Sequence, residues 1–184
     1  MPLSILDPKP ALVVVDLQRS IVAIGVPGTA EVVAHSARLL EAFRAAGHLV
    51  VLVNVDASPG GRSDHNPGGV PTRLTGDQLE LVPELGRRDT DLVVTKHTRG
   101  AFHGTSLEKE LAERSVTQVF VTGIATGSGV EETAREAYAR GLNVVVVTDA
   151  VADRDPEVHA FVLTRVLPRF TETATADEVL AALG

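Results

Sequence analysis

The chain alternates short unbroken apolar runs with longer stretches in which apolar residues recur at helical spacing. The runs are ALVVVD (11–16), LVVLVNV (49–55), DLVVTK (91–96), TQVFVTG (117–123) and NVVVVTD (143–149). Their length and β-branched content predict strands buried on both faces. Between the first two, TAEVVAHSARLLEAFRAAG (29–47) sets Val32, Val33, Leu39, Leu40 and Phe43 on one helical stripe and ends at Gly47, a helix stop. Thr105 with Glu108, and Ser128 with Glu131, have capping-box spacing and predict helix starts at SLEKELAER and EETAREAYARG. Asp155-Pro156 reads as N-cap and first helical residue of a helix reaching Val166. A short strand near Phe170–Thr173 and a helix over ADEVLAALG close the chain.

This strand–helix alternation predicts an α/β, three-layer Rossmann-like fold: a mostly parallel sheet with helices on both faces, in one domain spanning 1–184. The exception is 56–90, which contains DASPGGRSDHNPGGVPTRLTG. A loop of this length in a compact domain is expected to be functional or mobile.

Composition narrows the function. Apolar residues make up 44% and aromatics 3%, so the core is built from Val, Leu, Ala and Ile. The formal charge is −7 with no basic run, which argues against a nucleic-acid partner. The absence of cysteine removes disulfides, thiolate metal sites and a thiol nucleophile together. MPLSILDPKP lacks a basic region followed by a long apolar core, so a signal peptide is not expected. No apolar run approaches the ~18 residues that span a bilayer. The expectation is a soluble cytoplasmic protein with a small-molecule substrate and no membrane partner.

In a parallel sheet the ligand crevice lies beyond the carboxyl ends of the strands. The polar residues expected there are Asp16 and Gln18, Asn54 and Asp56, Lys96 and His97, the turn GIATGSG (123–129), and Asp149 with Asp153. Asp16 alone could simply open a loop, and Lys96 alone could be a snorkelling lysine. As a pair, each could hold the other charged in a partly buried site. In the turn, backbone N–H groups at a helix start can bind developing negative charge. Gly127 and Gly129 permit close backbone approach. Ser128 reads as a helix cap first. It reads as a nucleophile only if the fold brings it a base from elsewhere.

VVVDLQ (13–18), KHTRGAFHGTSLEKEL (96–111) and VTGIATGSGVEETAREAYARGLNVVVVTDAVAD (121–153), in that order, resemble the isochorismatase-like hydrolases, also called cysteine hydrolases. The resemblance implies a six-stranded parallel sheet, a homo-oligomer (dimer or tetramer) and an active site of Asp, Lys and Cys. Asp16 and Lys96 match the first two. The family's cysteine falls at Gly129, which makes this a glycine-for-cysteine member. The resemblance further implies a non-proline cis peptide at Ile124–Ala125 and an oxyanion hole from the amides of Ala125 and Gly129. Gln18, Phe102 and Ser128 are the substrate-binding candidates.

Glycine cannot form a thioester. Nicotinamidase, carbamoyl-sarcosine amidase and ureido-acrylate amidase activities by the usual route are therefore disfavoured. The Asp-x-His metal motif of the nicotinamidase relatives is replaced by Asp56-Ala57-Ser58, and His65 reads as a solvated loop residue. No metal and no organic cofactor is expected. Isochorismatases proper also dispense with sulfur, since they cleave a vinyl ether to which an Asp delivers a proton. That role falls to Asp16. Lys96 would lower its pKa and burial would raise it. Arg19, Arg62 and Arg99 are candidates to meet substrate carboxylates. The GIATGSGVE turn itself looks more like that of small family members sharing this glycine. Competing readings are a binding protein without turnover, an amidase using Ser128 or an activated water, and, more weakly, an engineered loss of a native cysteine.

Overall fold

The structure, a computed structural model, describes residues 3–184. Met1 and Pro2, at the head of the stretch read against a signal peptide and of the 1–184 domain, lie outside the described residues. Six strands form one sheet: β1 (Pro10–Val15), β2 (Leu49–Val55), β5 (Leu92–Lys96), β6 (Gln118–Ile124), β7 (Asn143–Ala152) and β8 (Glu172–Ala174). The order is β5-β2-β1-β6-β7-β8 and every pairing is parallel. The chain moves outward to one side from β1, then returns to lay β6 on β1's other edge. That reversal makes the carboxyl ends of β1 and β6 the switch point where a crevice must open.

The helices are α1 (Arg19–Val22), α2 (Thr29–Ala45), α3 (Leu107–Glu113), α4 (Glu131–Ala139), α5 (Pro156–Phe161) and α6 (Ala176–Leu183). Strand periodicity sorts the core into two layers. Leu12 and Val14 join Leu39, Leu40, Phe43 and Val179 under α2 and α6. Val13 and Val15 join Leu107, Leu111, Ala134 and Ala137 under α3 and α4. Both sheet faces are thus covered, which is why the strands read as unbroken apolar runs.

Three local readings are corrected. The 56–90 segment is not structureless: Ala57–Ser58 (β3) pairs antiparallel with Thr72–Arg73 (β4), and 3-10 turns form at Gly76–Leu79 and Pro83–Leu85. Strand β7 runs on to Ala152, with a register irregularity against β6 between Val121 and Gly123. The Thr105/Glu108 capping box does not form, because Glu108 reaches across to Arg140 (2.8 Å). Thr105 Oγ1 still accepts from the Leu107 amide (3.2 Å). The Asp155 cap is present, its carboxylate accepting from the amides of Glu157 and Val158. Helix α6 opens on a reciprocal box between Thr175 and Glu178.

Candidate active site

Asp16 leaves β1 with φ 56°, in the left-handed region that Asp tolerates better than most side chains. Its amide still donates to Val53 O (2.9 Å), so the backbone turns out of the sheet while its first bond is kept. Directly beside it runs Gly123, with φ 118°. A Cβ there would lie 1.9 Å from the Val15 carbonyl oxygen. Only glycine lets β6 pass so close, and the following Ile124–Ala125 peptide is cis.

Lys96 ends β5 and extends past β2 to Asp16. Its Nζ donates to Asp16 Oδ2 (2.9 Å), Thr98 O (3.2 Å) and Arg99 O (2.6 Å). All three ammonium donors are therefore used within the protein. Both residues are buried. The two carboxyl oxygens of Asp16 differ: Oδ2 meets the lysine, while Oδ1 is buried with no partner. Burial pushes the Asp16 carboxyl up to about 6, against the downward pull of the Lys96 charge and hydrogen bond. The opposing effects named from sequence thus resolve in favour of desolvation.

Gly129 completes the group. A Cβ on it would lie 3.1 Å from both Asp16 Oδ2 and Val15 Cγ1, and 3.3 Å from Lys96 Nζ. A side chain at 129 would therefore project onto the Asp–Lys pair. Residues Thr126–Val130 form a π-helical turn, a geometry found often at functional sites. The Ala125 carbonyl accepts from the amides of Ser128 (3.0 Å) and Val130 (3.1 Å). Ser128 is consequently inside the turn and not its cap. The residue preceding α4 is Val130, and Glu131 bonds Arg135. The cap reading of Ser128 fails because the helical turn already begins at Thr126, which puts Ala125 at the cap position and Ser128 within the turn.

The turn is braced from the β7–α5 side. Gly127 N donates to Asp153 Oδ2 (2.7 Å), and a Cβ on Gly127 would lie 2.5 Å from Val158. Buried Thr126 bonds the His159 ring (2.8 Å). The loop that holds Lys96 is braced from α4: Thr133 Oγ1 accepts from Ala101 N and Glu136 Oε2 from Phe102 N. Gly100 is small for a reason, since a Cβ there would meet the Glu136 carboxylate at 2.2 Å.

A cleft of about 960 Å³ opens over Asp16, Lys96, Ala125, Ser128 and Gly129. Gln18 and Phe102, expected to bind substrate, lie elsewhere. Gln18 is fully buried and clamps the end of β2: Nε2 donates to Val55 O and Gln78 O, and Oε1 accepts from Val55 N. Phe102 is packed in the core beneath the Arg140 guanidinium. Asp149 faces the other layer, accepting from Ala176 N, because β7 continues past it. Asn54 bonds Leu79 O, and Asp56 bonds His97. Of the candidate arginines, Arg19 pairs with Glu80 outside the cleft, whereas Arg62 and Arg99 line it. Arg154, His103, Glu132 and Glu136 also line it and were not read from the sequence. Arg154 carried a usable signal, since it directly follows Asp153 at a strand end. The two glutamates carried none beyond their helix face. Among the described residues no group of three or more His, Asp or Glu is arranged to hold a metal ion, and no helix is long and apolar enough to cross a membrane.

Fold and cleft define an α/β protein with an open cleft at the carboxyl ends of its parallel strands. The isochorismatase domain model matches residues 10–178. The chain belongs to the isochorismatase family of hydrolases. It is 37% identical over 177 residues to YwoC of Bacillus subtilis, an uncharacterized isochorismatase family protein, covering 94% of this chain and 93% of that one. It is 35% identical to a streptothricin hydrolase of Streptomyces noursei, over 94% of this chain and 67% of that one. An isochorismatase family protein of Burkholderia thailandensis has the same fold with a TM-score of 0.91 at 40% identity, covering 97% of each chain.

Proposed function

We propose that this protein is a hydrolase of a glycine-for-cysteine subgroup, and that it cleaves a vinyl ether of a small metabolite by acid catalysis without a covalent intermediate. The observation that carries the reading is Asp16 Oδ1: buried, unpartnered and on a carboxyl whose pKa is pushed up to about 6. A buried oxygen without a partner is costly unless a proton or ligand takes it. A protonated Asp16 facing substrate is a general acid of suitable strength.

The chemistry balances without sulfur. Asp16 gives its proton to the terminal CH2 carbon of the vinyl ether, making an oxocarbenium ion and an Asp16 carboxylate. Water adds to the cationic carbon and returns a proton to Asp16. The resulting hemiketal breaks its C–O bond to give a ketone and an alcohol. Lys96 stabilises the transient carboxylate through Oδ2. The amides of Ala125 and Gly129 are assigned to the departing oxygen.

The amidase reading with Ser128 is less well supported. Its hydroxyl lines the cleft, yet the histidine bonded within this turn, His159, is engaged with Thr126. The test measures pyruvate release from isochorismate and ammonia release from a panel of small amides. The reading expects pyruvate release that Asp16→Asn abolishes. Ammonia release lost on Ser128→Ala would overturn it in favour of the amidase. Saturable binding with no turnover would overturn it in favour of a binding protein.

A further inference from the structure

Lys96 is held by a short loop, and that loop is held by α4. The carbonyls of Thr98 and Arg99 turn inward and accept from Lys96 Nζ (3.2 and 2.6 Å). The amides of Ala101 and Phe102 turn outward to α4 and donate to Thr133 Oγ1 (3.2 Å) and Glu136 Oε2 (2.9 Å). Thr133 and Glu136 stand three residues apart, so they share one face of the helix. Within the loop, Thr105 Oγ1 donates to Ala101 O (2.6 Å) and Thr98 Oγ1 to Gly100 O (3.2 Å). Those two bonds stiffen the loop locally, and the two ties to α4 fix where it stands.

Glu136 fits this loop by shape as well as by its hydrogen bond. Its carboxylate packs on Gly100, where any Cβ would collide with it. A half-buried carboxylate beside a cleft could have turned to water, yet this one accepts from a backbone amide. A hydrogen bond to a charged acceptor is about twice as strong as a neutral one, so Glu136 is the firmer of the two ties.

The loop sets how many Lys96 donors are left for Asp16. An ammonium group has three. Two go to the loop and one goes to Asp16 Oδ2 (2.9 Å), while Asp16 Oδ1 stays buried with no partner. If the loop drew back, a freed donor would find an unsatisfied acceptor in Oδ1. Each added bond to a carboxylate favours its charged form. The other charged and titratable groups of the cleft stand on separate walls. They are Arg62 from the β3–β4 loop, Arg99 and His103 from the loop after β5, Glu132 from α4 and Arg154 from the loop after β7. Among the described residues, the ion pair made by Asp16 is with Lys96.

We propose that Glu136 is a positioning residue: by fixing the 98–102 loop it keeps two of the three Lys96 donors away from Asp16, and so sets the pH at which Asp16 gives up its proton. Glu136 touches no reacting atom in this role. It acts through the Phe102 amide, the loop and Lys96. Its consequence for turnover rests on the reading of Asp16 as the working acid, whereas its effect on the titration of Asp16 does not.

The experiment is a carbon-13 NMR titration of the Asp16 carboxyl in the whole chain without substrate, its signal assigned by its loss in Asp16→Asn. The wild type is expected to titrate near 6. Glu136→Ala is expected to lower that midpoint by about one pH unit, and the alkaline limb of kcat/KM for isochorismate moves down with it. Glu136→Gln keeps an acceptor for the Phe102 amide and stays within about 0.3 unit of the wild type. Gly100→Ala keeps the Glu136 charge but drives the carboxylate off the loop, so it shifts the midpoint in the same direction as Glu136→Ala. It decides the matter if Glu136→Ala does not fold. Glu132→Ala removes an equal charge from the same wall and leaves the midpoint in place. A midpoint shift without any hydrolysis of the vinyl ether upholds the positioning role and overturns the acid chemistry. An alkaline limb that follows Asp16, with an unmoved midpoint in Glu136→Ala and Gly100→Ala, does the reverse. A shift in Glu136→Gln as large as in Glu136→Ala also overturns the positioning role, since the charge and not the acceptor would then act. A merely structural Glu136 would lower the unfolding temperature and leave every midpoint where it was.

Discussion

Asp16 holds Lys96 through only one of its two oxygens. Oδ2 lies 2.9 Å from Nζ, and Oδ1 is buried without a partner. Lys96 in turn divides its charge among Asp16 and the carbonyls of Thr98 and Arg99. A lysine shared three ways pulls less on the carboxyl than burial pushes, and so the acid keeps its proton up to about pH 6.

The first consequence is a pH profile. If protonated Asp16 is the working acid, kcat/KM is level on the acid side and falls about tenfold per pH unit above ~6. Lys96→Met removes the cation that lowers the Asp16 pKa, so the alkaline limb moves to higher pH. A stopped assay of the two proteins from pH 5 to 9 checks both the position and the direction.

The same carboxyl affects stability. Its folded pKa of about 6 lies above the unfolded value near 3.9. The folded form therefore binds its proton more tightly than the unfolded form. Its stabilising contribution is complete below about pH 3.9 and is lost as pH rises through 6. A shift of roughly two units corresponds to about 3 kcal/mol. Urea unfolding of wild type and Asp16→Asn at pH 4 and 7.5 should show the wild type losing that much relative to the variant as pH rises.

Position 129 is fitted around a hydrogen atom. Adding a Cβ brings contacts of 3.1 Å to Asp16 and Val15, and overpacking of this kind costs about 1–3 kcal/mol. Gly129→Ala should lower the unfolding midpoint and depress turnover together. Intact-protein mass spectrometry of wild type quenched during turnover should find no covalent adduct, on Ser128 or elsewhere.

Gln18 makes its contribution through the backbone. Gln18→Leu leaves the Val55 amide without its acceptor and the Val55 carbonyl without the Gln18 donor, while Gln78 O keeps its bond from the Ser20 hydroxyl. The expected loss is about 3 kcal/mol. Thermal unfolding measures it, and the KM of the variant at temperatures where it is folded should change far less than its stability does.

Gly123→Ala should not give a stable fold. Its Cβ would collide with the Val15 carbonyl at 1.9 Å, at a φ of 118° that alanine rarely adopts. Circular dichroism of the purified variant decides it.

Much of the fold could be read because burial on both faces leaves a plain mark. Runs such as ALVVVD and LVVLVNV have nowhere to place a polar residue until they leave the sheet, so Asp16 and Lys96 announced the strand ends. Capping spacing was a weaker guide. Thr175 with Glu178 forms a box, while Thr105 with Glu108 and Ser128 with Glu131 do not. Two polar residues three apart are common, and a long-range partner such as Arg140 outcompetes the local bond. Gln18 and Phe102 were misplaced for a related reason. Proximity in sequence to Asp16 and Lys96 says nothing about whether a side chain turns into the cleft or back into the protein. Glu132 and Glu136 come to the cleft through tertiary packing that no single segment encodes.

The most direct test of the central claim is turnover of isochorismate in D2O, with the pyruvate trapped at once by enzymatic reduction to lactate and analysed by mass spectrometry. Acid catalysis by Asp16 puts one deuteron into the methyl group, and Asp16→Asn lowers the rate at least a hundredfold while Ser128→Ala gives no covalent species to lose. Turnover by Asp16→Asn at an undiminished rate, or a methyl group free of deuterium, would contradict the account.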